Sequence, residues 1–144
     1  MRVMVLMPAS KETEAGEMPS TEILTAMTAF NEELVKAGMM LAGEGLHATN
    51  KAKRVVHAGD GKTTVVDGPF TESKELIAGF WIWQVKSLDE AVEWAKRVPT
   101  GALGQDTVSL EIRPLIEAED FGDAFTPELQ RKEEQLRSQV AAQQ

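Results

Sequence analysis

Apolar residues recur along the chain with two different periods, and the changes of period mark the elements. Val3 to Met7 form a short apolar run closed by Pro8, which predicts a strand over residues 2–8. Residues 9–19 carry Gly16 and Pro19 and read as a loop. Ile23, Met27, Phe30 and Leu34 then repeat at helical spacing, with Ser20 as N-cap and Gly38 as stop, so a helix is predicted from about Ser20 to Ala37. Met39 to His47 reads as extended. Its glycines, Gly43 and Gly45, suggest a bulge or a close approach by a neighbouring group.

Two apolar runs, Arg54–Ala58 and Thr63–Asp67, flank Gly59-Asp60-Gly61-Lys62, and Asp-Gly between such runs predicts a hairpin. A two-residue Asp60-Gly61 turn sets Val56 opposite Val65 and Arg54 opposite Asp67. Phe80 to Lys86 predicts a further strand, with Phe80 and Ile82 on one face and Trp81, Trp83 and Val85 on the other. Ser87-Leu88-Asp89-Glu90 is a capping box for a helix with a buried stripe of Leu88, Ala91, Val92, Ala95 and Val98, ended by Pro99. Thr107 to Ile116 predicts a last strand, with Val108, Leu110 and Ile112 toward the core and Glu111 and Arg113 on its polar side.

The order strand, helix, strand, hairpin, strand, helix, strand predicts an α+β fold: an antiparallel sheet with helices on one face. Both faces of the strand around Trp81 are apolar, while two helices cover one sheet face. The face with Trp81 and Trp83 is therefore expected to meet a second copy of the chain in a homodimer. Residues 1–118 form one α+β domain in this reading, and residues 119–144 are a charged, Gln-rich extension with a weak helical pattern at Leu129, Leu136 and Val140.

Composition narrows the class. Hydrophobic residues are 42% and charged residues 26% of 144, as in ordinary globular domains. No apolar run reaches the roughly 18 residues of a membrane span, and the first residues lack the longer apolar region of a signal peptide. With no cysteine there is no disulfide or thiolate chemistry, which fits a cytoplasmic protein. The net charge of −8, without a basic stripe, argues against nucleic acid as a partner.

Candidate chemistry centres on the run Asp67-Gly68-Pro69-Phe70-Thr71-Glu72-Ser73-Lys74-Glu75. Gly-Pro forces a turn, Phe70 can fold back on the core, and Thr71 or Ser73 can cap a short helix carrying Lys74 and Glu75. Asp67 before that turn either bonds nearby backbone amides or pairs with Arg54, or is a general acid or base or a ligand contact in a site. Glu44 shares strand parity with Met40, Ala42 and Leu46; either a bulge turns it to solvent or it is a pocket carboxylate. Glu111 and Arg113 either face solvent or line a closed interior, where the arginine would favour a carboxylate or phosphate. His47 and His57, even with Glu44, match no metal-ligand spacing, and no dinucleotide, phosphate-loop or nucleophile-elbow motif is present, so no cofactor is expected.

The Asp-Gly-Pro-Phe run, together with Phe30-Asn31-Glu32-Glu33-Leu34, Gly43-Glu44-Gly45-Leu46, Arg54-Val55, Lys74-Glu75 and Gly79-Phe80-Trp81-Ile82, resembles the DGPF-type, YCII-related proteins. The Ser87-to-Arg97 helix, Glu111-Ile112-Arg113-Pro114 and Glu119-Asp120-Phe121-Gly122 extend the resemblance to residues 1–122. It implies a ferredoxin-like fold whose sheets pack in a dimeric α+β barrel, and some such proteins resemble accessory partners of stress-response sigma factors. YCII-like relatives pair an aspartate with a histidine on the first helix. The stretch here is Thr25-Ala26-Met27-Thr28, so Asp67 is carried over without that base.

Two functions follow from these residues. In the first, a homodimer binds a small organic molecule between its sheets, with cofactor-free acid-base chemistry at Asp67 and with Glu44, Arg54 and Arg113 orienting the ligand. In the second, the domain is a non-catalytic regulatory module that docks a protein such as a sigma factor.

Overall fold

The computed structural model describes residues 1–72 and 74–144. These form two compact units, Met1–Pro114 and Leu115–Gln144. In the first, β1 (Arg2–Pro8), α1 (Lys11–Glu14), α2 (Thr21–Lys36), β2 (Met40–Gly45), β3 (Lys53–His57), β4 (Thr63–Asp67), β5 (Ile77–Gln84), α3 (Leu88–Ala95) and β6 (Glu111–Pro114) follow in order. The second holds α4 (Pro127–Ala142), capped by Thr126 through the Leu129 amide. Among the described residues no helix is long and apolar enough to cross a membrane.

Strands β2, β5, β1 and β6 lie side by side in that order, antiparallel at each step. With α2 between β1 and β2 and α3 between β5 and β6, this is the ferredoxin-like β-α-β-β-α-β arrangement. The β3–β4 hairpin is a separate two-stranded sheet inserted between β2 and β5.

Local chemistry explains the helices. The hydroxyl of Ser20 accepts from the Ile23 N–H, and Gly38 takes a positive φ just past the end of α2. Ser87 caps α3 through the Glu90 amide, while the Glu90 carboxylate accepts from the Lys86 N–H at 2.9 Å. The loop expected over residues 9–19 contains the short turn α1, because Ser10 and Thr13 satisfy each other's amides. Helix α3 turns Ala91, Trp94 and Ala95 to the core and Val98 packs there just past its end; Leu88 and Val92 stand exposed. The last strand is shorter than expected, with Leu110 and Ile112 packed on the core.

Trp81 and Trp83 lie under the helices, not on the uncovered face. They are 7% and 0% exposed, among Val3, Val5, Phe30 and Leu34. Alternation shows that these tryptophans oppose Phe80 and Ile82, but it does not show which side receives the helices. The decision lies with Phe30 and Trp94, whose rings come off α2 and α3. Phe30 meets Trp81 edge-on at 6.0 Å and Trp83 at 6.2 Å. Asn31 adds a polar latch by accepting from the Trp81 indole N–H at 2.9 Å.

The hairpin register also differs by one residue from the two-residue-turn expectation. Lys53 faces Asp67, Arg54 faces Val66, and Val55 faces Val65. The loop has three residues, since the Ala58 N–H donates to the Lys62 carbonyl at 2.8 Å and the Gly61 N–H to the Ala58 carbonyl at 3.0 Å. Gly61 at φ +87° supplies the left-handed residue this loop type needs. Arg54 and Asp67 therefore sit on opposite faces of the hairpin.

Candidate functional site

The four residues singled out in the sequence occupy three separate places. Asp67, at the end of β4, reaches Lys53 Nζ at 2.5 Å and is 72% exposed at its side chain. It is a surface ion pair on the hairpin. A two-residue turn puts Arg54, not Lys53, across from Asp67. Reading Gly61 as the left-handed residue of a three-residue loop would have brought Lys53 across from Asp67.

Arg54 stands on the other hairpin face. Its guanidinium carbon lies 3.7 Å from the centre of the Phe70 ring, and Glu72 approaches its Nη1 from 3.5 Å. Beside it runs a cleft of about 410 Å³. Leu46, Ala52, Phe70, Leu76 and Ile77 supply its apolar wall, and His47, Lys51, Arg54 and Glu75 its polar rim.

The cleft is held by bonds that link segments far apart in the chain. The Glu14 carboxylate accepts from the Thr49 N–H at 3.2 Å and from its hydroxyl at 2.6 Å. The same hydroxyl oxygen accepts from the Phe70 N–H at 3.0 Å. The Gly68 N–H donates to the Ala52 carbonyl at 2.9 Å. A Cβ on Gly68 would fall 1.6 Å from the Thr49 carbonyl oxygen, so only glycine fits. Glu14 and Thr49 are the residues that sequence reasoning missed. A bond across 35 positions leaves no local signal, although the Ser10–Thr13 cap would have revealed the turn that presents Glu14. The short helix expected around Lys74 and Glu75 is a turn closed by the Glu75 N–H on the Glu72 carbonyl. Ser73, its expected cap, lies outside the described residues.

Glu44 and Arg113 belong to the sheet face turned away from α2 and α3. A register shift between Met40 and Ala42 leaves Met40 on the core side and moves Ala42 and Glu44 to the other. The bulge thus precedes Gly43, and Gly43 instead stands where a side chain would strike Met40 and Trp81. Across the sheet the open face reads Glu44, Phe80, Leu6, Glu111 in one row and Ala42, Ile82, Met4, Arg113 in the next. Its centre is apolar and half-buried; its flanks are charged and exposed. Glu44 and Arg113 are in neighbouring rows on the two outer strands, which are about 14 Å apart at the usual strand spacing. His47 lines the cleft and His57 faces Thr63 on the hairpin; among the described residues no three acidic or histidine side chains gather as a metal site.

An uncharacterised protein of Rhizobium meliloti (strain 1021) is 34% identical over 93 residues, covering 65% of this chain and 73% of that protein. Among solved structures, the 5-chloro-2-hydroxyhydroquinone dehydrochlorinase of Burkholderia phenoliruptrix AC1100, in complex with 2,5-dihydroxybenzoquinone, is similar at a TM-score of 0.42 and 16% identity, over 83% of this chain and 99% of that one. The YCII-related domain matches residues 1–117, the span that contains the whole four-stranded sheet, the hairpin and the cleft, and the chain belongs to that family.

Proposed function

We propose that the chain acts as a homodimer that closes its open sheet face against a second copy and binds a small organic molecule between the two sheets. The observation that carries this reading is the composition of that face: Met4, Leu6, Phe80 and Ile82 at the centre, Glu44, Glu111 and Arg113 at the flanks. An apolar centre with a charged rim is the anatomy of an interface between copies. A two-fold axis along the strands would stack β2 over β6, with Glu44 in the row of the second copy's Glu111 and one row away from its Arg113. Glu44 and Arg113 would orient a polar ligand in the enclosed space, with residues 1–118 as the working domain and 119–144 as an extension.

Asp67 keeps the role of proton-transfer candidate within this reading, although its exposure and its Lys53 partner suit a charge pair on the hairpin better. The reading calls for no cofactor. The test is a thermal-shift screen of the full chain against a metabolite panel, repeated with Glu44→Gln and Arg113→Gln, since a ligand of the folded state raises its stability by mass action. A stabilising hit lost in both variants supports the inter-sheet site. A dimer that no small molecule stabilises would favour the regulatory, protein-docking alternative.

A further inference from the structure

We infer that each protomer carries a second small-molecule site, in the cleft beside the Gly68–Phe70 turn, and that it takes a monocyclic carboxylate with an apolar or aromatic body. The cleft's size, about 410 Å³, is at the small end for ligand pockets and fits a single-ring ligand. Its wall is apolar: Leu46, Ala52, Leu76, Ile77 and the Phe70 ring. A compact, fully hydrated ion such as phosphate would gain nothing from such a wall. A purely apolar ligand would leave the rim cations unused.

The rim points to an anion. Lys51 and Arg54 line the cleft against one lining carboxylate, Glu75, on a chain whose net charge is −8. Arg54 is presented rather than merely nearby. Its guanidinium carbon lies 3.7 Å from the centre of the Phe70 ring, and its ion-pair partner Glu72 approaches one nitrogen, Nη1, at 3.5 Å, longer than an ordinary hydrogen bond. A ligand carboxylate can therefore meet the planar fork of Arg54 while its body lies along the apolar wall.

The two walls are also locked before any ligand arrives. The Gly68 N–H is bonded to the Ala52 carbonyl, the Phe70 N–H to the Thr49 hydroxyl, and Thr49 to Glu14. A cleft already in its bound shape loses little conformational freedom on binding. Glu14 is a positioning residue here: it touches Thr49, which fixes the backbone of Phe70.

This site goes beyond the inter-sheet reading and is independent of it. The cleft lies within one protomer and uses none of the central residues of the open face. Titration of the full-length protein with phenylacetate, followed by amide NMR, tests it, with phenylacetamide as the neutral counterpart. The expected result is saturable movement of the Thr49, Ala52, Phe70 and Ile77 amides at millimolar concentration, as suits a ligand of about ten non-hydrogen atoms. Phenylacetamide should bind at least about tenfold more weakly, Arg54→Gln should weaken phenylacetate by about tenfold or more, and Arg54→Lys should lose part of that. Arg54 is on an exposed hairpin, so both variants should fold, and Lys51→Met offers a second charge removal on the same rim. Three outcomes overturn the proposal: no saturable response from the wild-type protein, equal response to acid and amide, or movement centred on Leu6, Phe80 and Ile82. Failure here leaves the dimer reading standing, and loss of the dimer in a Leu6→Glu variant leaves this cleft in place.

Discussion

At the scale of single residues, the strongest constraint near the cleft is steric. Gly68 sits against the Thr49 carbonyl with no space for a methyl group. The neighbour is backbone, so it cannot rotate away. Gly68→Ala should therefore cost about 3 kcal/mol, the upper end for overpacking, in urea unfolding monitored by tryptophan fluorescence. Asp67 makes the opposite case. Its ion pair with Lys53 is exposed on both sides, at 72% and 68%, so solvent screens it. Asp67→Asn should change stability by less than about 1 kcal/mol. A loss above about 2 kcal/mol in the same assay would show that the carboxylate holds the turn through more than Lys53.

At the scale of elements, what could be read in advance depended on how local the determinant is. Helix α2 and helix α3 were legible because spacing, N-cap serines and stop signals lie within each segment. The existence of the hairpin was legible from Asp60-Gly61, but its register was not. A two-residue Asp60-Gly61 loop of type I′ needs positive φ at both residues, whereas the three-residue loop needs it at Gly61 alone, and the same Asp-Gly pair serves either. That one-residue difference moved Arg54 off Asp67 and gave it to Phe70, which is how half of the candidate site was misplaced. The shared side of Glu111 and Arg113 was legible from strand parity, but parity gave Glu44 the face of Met40, and only the bulge between Met40 and Ala42 puts it on the open face. The Glu14–Thr49 link was beyond reach because nothing local encodes it.

The hairpin also invites a direct check. Its four valines, Val55, Val56, Val65 and Val66, are exposed, so the ladder and its anchored open end hold it more than packing does. Gly61→Val forces a β-branched residue to φ +87° and should weaken the hairpin by about 1–2 kcal/mol. Amide exchange should quicken at Val56 and Thr64 while the Val5 and Trp81 amides stay protected, because the four-stranded sheet does not share that ladder. Uniform acceleration across both sheets would mean that the hairpin and the main sheet unfold as one unit.

At the scale of the whole molecule, the decisive question is what covers Met4, Leu6, Phe80 and Ile82. Helices α2 and α3 are committed to the other face, where Trp83 is fully buried and its indole N–H finds no acceptor among the described residues. The core therefore gains from the helices what the open face lacks. If a second copy covers it, each apolar side chain is buried twice per dimer, once in each protomer, and any substitution there also acts twice. A glutamate at Leu6 or Ile82 would bring an unpaired carboxylate into the apolar centre from both sides. At about 3 kcal/mol per copy, the dimer would weaken by about 6 kcal/mol, or roughly ten-thousand-fold. Sedimentation at micromolar concentration should then show a dimer for the wild type and a monomer for Leu6→Glu and Ile82→Glu, with helical circular dichroism unchanged because both positions point away from α2 and α3. Trp81 and Trp83 stay under their own helices in either state, so their fluorescence should report folding and not assembly. A wild type that sediments as a well-folded monomer would remove the second sheet from the picture, and with it the inter-sheet role of Glu44 and Arg113.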